Sequence, residues 1–173
     1  MNRFLLVGLA LAGAAAQAAS VDVPAPLRAG EHESFVGTVA ARGVQIYQCR
    51  VSATGAEWVF VAPDADLLDA DGRTAGRHGA GPFWEAADGS RVVGTVKARA
   101  DAPAAGAVPW LLLATRAAGP QGRFSAVTSI QRINTVGGIV PPADACTIDT
   151  IDATARIHYT ADYRLFASGN GSN

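Results

Sequence analysis

The sequence predicts a mainly β protein: a single-domain antiparallel β-sandwich or barrel-like fold with few or no helices after an N-terminal signal peptide. Three observations predict it. Apolar and polar residues alternate with period two in run after run. Helical periodicity is scarce beyond the leader. The runs are separated by Gly, Asp-Gly and Pro at the short intervals typical of hairpins. The chain has 173 residues, 49% hydrophobic and 17% charged, with a net charge of −1. That length suits one domain, and the charged share is below the typical ~25%. The balance gives no basic footprint for nucleic acid and no charge run of the kind that forms a disordered tail.

The elements follow in chain order. Asn2-Arg3 is a short positive start, residues 4–16 are an apolar run, and Ala16-Gln17-Ala18 has the A-x-A form of a cleavage site. This is the layout of a secretory signal peptide over residues 1–18, with cleavage after Ala18. A membrane anchor needs ~20 apolar residues, and this run is shorter. The expected product is exported, periplasmic or secreted. It has one β-rich domain over residues 19–167, a frayed tail over 168–173 and no transmembrane segment. Residues 35–41 and 44–51 read as strands joined by a turn at Arg42-Gly43. Residues 57–61 form the next strand, which Pro63 should end because proline donates nothing to a ladder. Asp71-Gly72 and Asp88-Gly89 each suit a type I′ hairpin turn. The first lies between runs 67–70 and 73–76, the second between 83–86 and 91–97. Residues 100–106 are Ala/Pro/Gly-rich and read as a loop.

Residues 108–115 are nearly continuously apolar, as in a strand buried on both faces; a helix is the alternative, since Leu and Ala favour one. Residues 127–134 form another strand, and Gly137-Gly138 and Pro141-Pro142 then break the chain. The last strand alternates most clearly. Ile157, Tyr159, Ala161, Tyr163 and Leu165 share one face, and Arg156, His158, Thr160, Asp162 and Arg164 share the other. A glycosylation sequon at Asn170 falls in the tail. Eight to ten such strands imply a sandwich or a barrel.

The only two cysteines, Cys49 and Cys146, both follow the leader. An even count in an exported domain favours a disulfide. Two free thiols are the alternative, and no C-x-x-C supports redox chemistry.

Residues 78–90 are the richest in chemistry. His78 could be a general base with Glu85 or Asp88 as partner, and Trp84 an apolar wall for a ligand. The structural alternative is a glycine-rich loop, a core Trp84 and an Asp88 that serves its turn. Alternation of faces along a strand separates His78 from Glu85. No catalytic set is complete. The aromatic residues Tyr47, Trp58, Trp84 and Trp110 could line a site or fill a core. Gln131 and Arg132 interrupt an apolar pattern. An inward Arg132 would need a partner, with Glu85 and Asp162 as candidate carboxylates. The binding candidates are therefore Tyr47, His78, Trp84, Glu85, Gln131 and Arg132. No metal site is expected, because His32, His78 and His158 have no ligand spacing. Asp69-Ala70-Asp71-Gly72 imitates only the start of a calcium loop. No cofactor is implied.

Several motifs together resemble a known family. They are Gly43-Val44-Gln45-Ile46-Tyr47-Gln48-Cys49, His78-Gly79-Ala80-Gly81-Pro82-Phe83-Trp84-Glu85, Val108-Pro109-Trp110-Leu111, Ile130-Gln131-Arg132-Ile133-Asn134 and Tyr159-Thr160-Ala161-Asp162-Tyr163. Over residues 36–166 the chain resembles the secreted group catalogued as domain of unknown function 3455. The resemblance implies an exported, mostly β domain and supplies no reaction. The leading expectation is a non-enzymatic envelope or secreted protein that binds a small molecule or cell-envelope component. A hydrolase or lyase using residues 78–88 and a structural envelope protein without a ligand are the alternatives.

Overall fold

The structure is a computed structural model that describes residues 21–169. The signal peptide expected over residues 1–18, its expected cleavage site and the sequon at Asn170 lie outside the described residues. Eight antiparallel strands close into a barrel in sequence order. They are β1 (Glu33–Ser52), β2 (Gly55–Leu68), β3 (Thr74–Gly79), β4 (Phe83–Ala86), β5 (Arg91–Ala100), β6 (Trp110–Ala117), β7 (Val127–Gly137) and β8 (Thr154–Ser168). The only helical pieces among the described residues are three-residue 3-10 turns. No helix there is long and apolar enough to cross a membrane.

Ring closure rests on β1. Its twenty residues pair with β2 from Ala40 to Ser52 and with β8 from Glu33 to Gln48. The turn expected at Arg42-Gly43 is absent, and β1 runs straight through it. Gly43 is small for a different reason: a Cβ there would lie 2.2 Å from the Asp64 carbonyl oxygen. Pro63 does not end its strand either. It pairs with Gln45, whereas β2 meets β3 only from Ala65 onward. At Pro63 the strand therefore has one free edge, the setting in which a strand tolerates proline.

Both Asp-Gly hairpins form, but with a different turn from the one expected. Gly72 and Gly89 have φ of 75° and 84°, while Asp71 and Asp88 are not in the positive region. Gly72 N–H donates to Asp69 O at 3.0 Å and Gly89 N–H to Ala86 O at 2.9 Å. This is a type I turn closed by a left-handed glycine. Of the tail expected over residues 168–173, only Ser168 and Gly169 are among the described residues. Ser168 pairs with Glu33, and Gly169 N–H donates to His32 O at 2.7 Å.

Inward residues fill one end of the barrel. Val39, Leu67, Ala86, Val92, Val127, Ile130 and Leu165 pack around Phe124, which is carried in by the β6–β7 loop. That loop is clamped from the β4–β5 hairpin: Asp88 Oδ2 accepts Arg123 N–H at 2.8 Å, and Ser90 Oγ accepts Phe124 N–H at 3.0 Å. On the outer surface, Val23 and Leu27 pack on Trp110, Leu112 and Ile133. β6 is thus covered on both faces, as its continuous apolar run predicts.

Cys49 and Cys146 form a disulfide with a Cα–Cα distance of 5.4 Å across 97 residues. It ties the β7–β8 connection to β1, where Cys49 also exchanges backbone bonds with Ala153 and Asp152. Converting both cysteines to alanine should leave a folded barrel that is less stable by roughly 2–4 kcal/mol. Urea denaturation of the double variant beside the oxidised parent checks this, and coincident midpoints would contradict it.

Candidate functional site

The opposite end of the barrel is open. It holds a cavity of about 650 Å³, inside the ~300–1,000 Å³ range of small-molecule sites. The open end gathers the C-terminal parts of β1, β3, β5 and β7 and the beginnings of β2, β4 and β6. Phe60, Val61 and Val96 stand about half exposed among its lining residues. Inside, His78 lies on Trp84 with ring centroids 4.3 Å apart and 20° between planes. Tyr163 meets both edge-on, at 5.0 Å from His78 and 5.3 Å from Trp84. The pairing explains the stack: His78 and Trp84 are directly opposed on β3 and β4. Gly94 leaves room for the indole, since a Cβ there would sit 2.8 Å from the Trp84 ring.

Arg132 points into the same space. Its register partners Leu111 on β6 and Tyr163 on β8 line the cavity with it. Its Nε and Nη2 donate to the Pro109 carbonyl oxygen at 3.0 and 2.8 Å. Neither expected carboxylate reaches it. Glu85 is bound by Arg91, and Asp162 accepts Asn134 Nδ2 at 2.7 Å. Two further cavity residues, Gln45 and Tyr163, are buried with Nε2 and the hydroxyl lacking close partners; the Tyr159 hydroxyl, which neighbours both, is likewise without one.

The electrostatics follow from burial around one cation. His78 is 4% exposed, and burial drives its pKa down to about 3. The bond to the Phe83 carbonyl opposes that shift, and the Arg132 charge adds to it. Nδ1 lies 2.7 Å from that carbonyl, so the neutral ring carries its hydrogen on Nδ1 and leaves Nε2 as an acceptor. Burial raises the Tyr159 and Tyr163 hydroxyls above the usual tyrosine range, against the pull of Arg132. Burial also raises Tyr47, whose hydroxyl donates to Gly138 O at 2.7 Å.

Among the residues singled out in the sequence, the structure brings Tyr47, His78, Trp84 and Arg132 together. It sets five others apart. Glu85 opposes Arg77, on the face away from His78. Asp88 holds its hairpin, accepting Ser90 N–H at 2.9 Å and Ser90 Oγ–H at 2.6 Å. Gln131 faces outward and donates to Leu27 O at 2.5 Å. Trp110 belongs to the outer cluster, and Trp58 donates to Pro142 O at 3.2 Å. Gln45 and Tyr163 were not singled out as site residues. The signal for Gln45 was its two-residue spacing from Tyr47 on one strand face.

His78 has a pH consequence. The unfolded chain takes up a proton near pH 6.5, whereas the folded protein resists it until about pH 3. Stability should fall with acid across that window with a slope of about one proton. Asp88 acts lower: the Ser90 hydroxyl first, then the Arg123 and Ser90 amides, hold it at about 2. The stability it contributes is therefore lost only in stronger acid. His78→Gln should flatten the pH dependence of urea stability between about pH 6 and pH 4 by roughly one proton. Parallel slopes in variant and parent would show that His78 is not held neutral.

A family model described as a protein of unknown function, DUF3455, matches residues 29–167. No curated protein and no solved structure matches the chain. The matched segment takes in seven strands whole and β8 to its penultimate residue, both cysteines and every lining residue of the cavity. The chain belongs to the DUF3455 family of proteins of unknown function.

Proposed function

We propose that this protein is an exported, non-enzymatic binder of a small molecule held in the open end of the barrel. The cavity of about 650 Å³, apolar-walled with a few inward polar groups, is the observation that carries this reading. Its volume suits a small molecule better than a piece of cell-wall polymer. Eight strands give a barrel just wide enough to hold one such ligand. A purely structural role gives no reason to leave one end unfilled while Phe124 plugs the other. A hydrolase or lyase on residues 78–88 has less support. His78, Glu85 and Asp88 do not converge, and an imidazole whose conjugate acid has a pKa of about 3 is a poor base at neutral pH. The Cys49–Cys146 disulfide supports an oxidising compartment.

Two measurements test the reading. Native mass spectrometry of protein from its own host should show an added mass of a few hundred daltons. Leu111→Trp, which fills the cavity, should remove that mass while the protein stays folded. Ligand-free protein from the parent would count against a bound small molecule. N-terminal sequencing of the same material should begin at Ala19, and a chain that begins at Met1 would contradict export by this leader.

A further inference from the structure

We infer that the ligand is an amphipathic carboxylate, with its carboxylate on Arg132 and its apolar body along the cavity wall toward the mouth. The inference rests on the small-molecule reading above and names the chemical class. Arg132 is the charged residue well inside the cavity; the other, Arg99, is exposed and stands at the rim. The lining contains no aspartate or glutamate. The ion pairs among the described residues are Arg73–Asp71, Arg77–Asp64, Arg91–Glu85 and Arg156–Asp64, and Arg132 is in none of them. A guanidinium in a largely apolar pocket without a counter-charge costs stability, and a bound anion offsets that cost.

The hydrogen bonding specifies the anion further. The Pro109 carbonyl engages Nε and one hydrogen of Nη2. The terminal Nη1/Nη2 edge, with two roughly parallel N–H groups, forms no ion pair among the described residues, and the neutral Tyr163 hydroxyl lies beside the guanidinium. That edge matches the two coplanar oxygens of a carboxylate. Pro109 is itself fixed, because Val108 donates to Gly137 O at 2.9 Å and accepts Thr135 Oγ1–H at 2.6 Å. The edge is therefore pre-aimed. Gln45 Nε2 is a buried donor without a close partner in the same cavity, and the Tyr163 hydroxyl stands beside Arg132 and the Tyr159 hydroxyl. They supply further hydrogen bonds to an anion. The rest of the wall is apolar: Val108, Leu111, Leu113, Pro82 and Val61. One interior cation balances one negative charge, which favours a carboxylate over a dianionic phosphate.

Isothermal titration calorimetry of the full protein with decanoate, decan-1-ol and decyl phosphate tests this. Decanoate should bind roughly tenfold or more tighter than decan-1-ol. Arg132→Met should abolish that preference, weakening decanoate binding far more than decan-1-ol binding. If Arg132→Met does not fold, Arg132→Lys keeps the charge without the planar edge and should lower the preference several-fold. Equal binding of decanoate and decan-1-ol would overturn the carboxylate and leave the small-molecule reading intact. Tighter binding of decyl phosphate than of decanoate would also overturn it. Binding of none of the three would count against both the class and the cavity as a binding site.

Discussion

Strand β1 is shared between two neighbours, and this sharing makes a ring out of what would otherwise be an open meander. From Ala40 to Gln48 it is laddered to β2 on one side and to β8 on the other. The ring draws facing backbones together, and the interior there is built of small residues: Ala41, Gly43, Ala65 and Ala161. Just beyond, the β1–β2 register shifts between Ile46 and Tyr47. A bulge of this kind bends and re-aims a strand. The unpaired residue is Val61 of β2, which lines the cavity together with Phe60 and Pro63. Closure at one level and re-aiming at the next give a barrel that is packed low and hollow above.

The two ends divide the work. At the filled end, Asp88 and Ser90 spend their polar groups on the loop that carries Phe124. At the open end, buried polar groups such as Gln45 Nε2 and the Tyr163 hydroxyl are left without close protein partners. Buried polar groups are normally satisfied; Trp110 Nε1 and Gln131 Oε1 on the outer face are exceptions too, but those on Gln45, Trp84 and Tyr163 line a hollow where a ligand can meet them. The same residue types are structural in the first place and available for recognition in the second. The difference lies in the local hydrogen-bond inventory and not in composition.

Local pattern made some of this readable from the sequence. The alternation of residues 156–165 fixed both the strand and its inner face, because Tyr159, Ala161, Tyr163 and Leu165 are all buried. The separation of His78 from Glu85 also followed from alternation. Other features depended on partners distant in the chain. Gly43 signals a turn or a tight interstrand contact equally well, and only the approach of β2 decides between them. Pro63 reads as a strand end unless it is known that β3 joins β2 later. Gln131 and Arg132 were both anomalous in an apolar strand. Which one faces inward is decided by the N-terminal segment: Leu27 covers the outer face and takes Gln131. With that face occupied, Arg132 is turned into the barrel.

The inward arginine and the buried histidine then form one electrostatic unit. Two cations at this spacing in a poorly hydrated interior would repel strongly. Burial keeps His78 neutral, the Arg132 charge reinforces it, and the Phe83 carbonyl fixes the hydrogen on Nδ1. The interior of the cavity therefore carries one positive charge, that of Arg132, with Arg99 at the rim, wherever His78 is neutral. A neutral His78 keeps its aromatic stack with Trp84 as an apolar surface and presents Nε2 as an acceptor. A protonated His78 would make the cavity a dication suited to phosphate-like ligands and weaken the apolar contact beside it. Depression of the histidine pKa is thus what lets one cavity combine an anion anchor with a hydrophobic wall. It also removes the group best placed to act as a general acid.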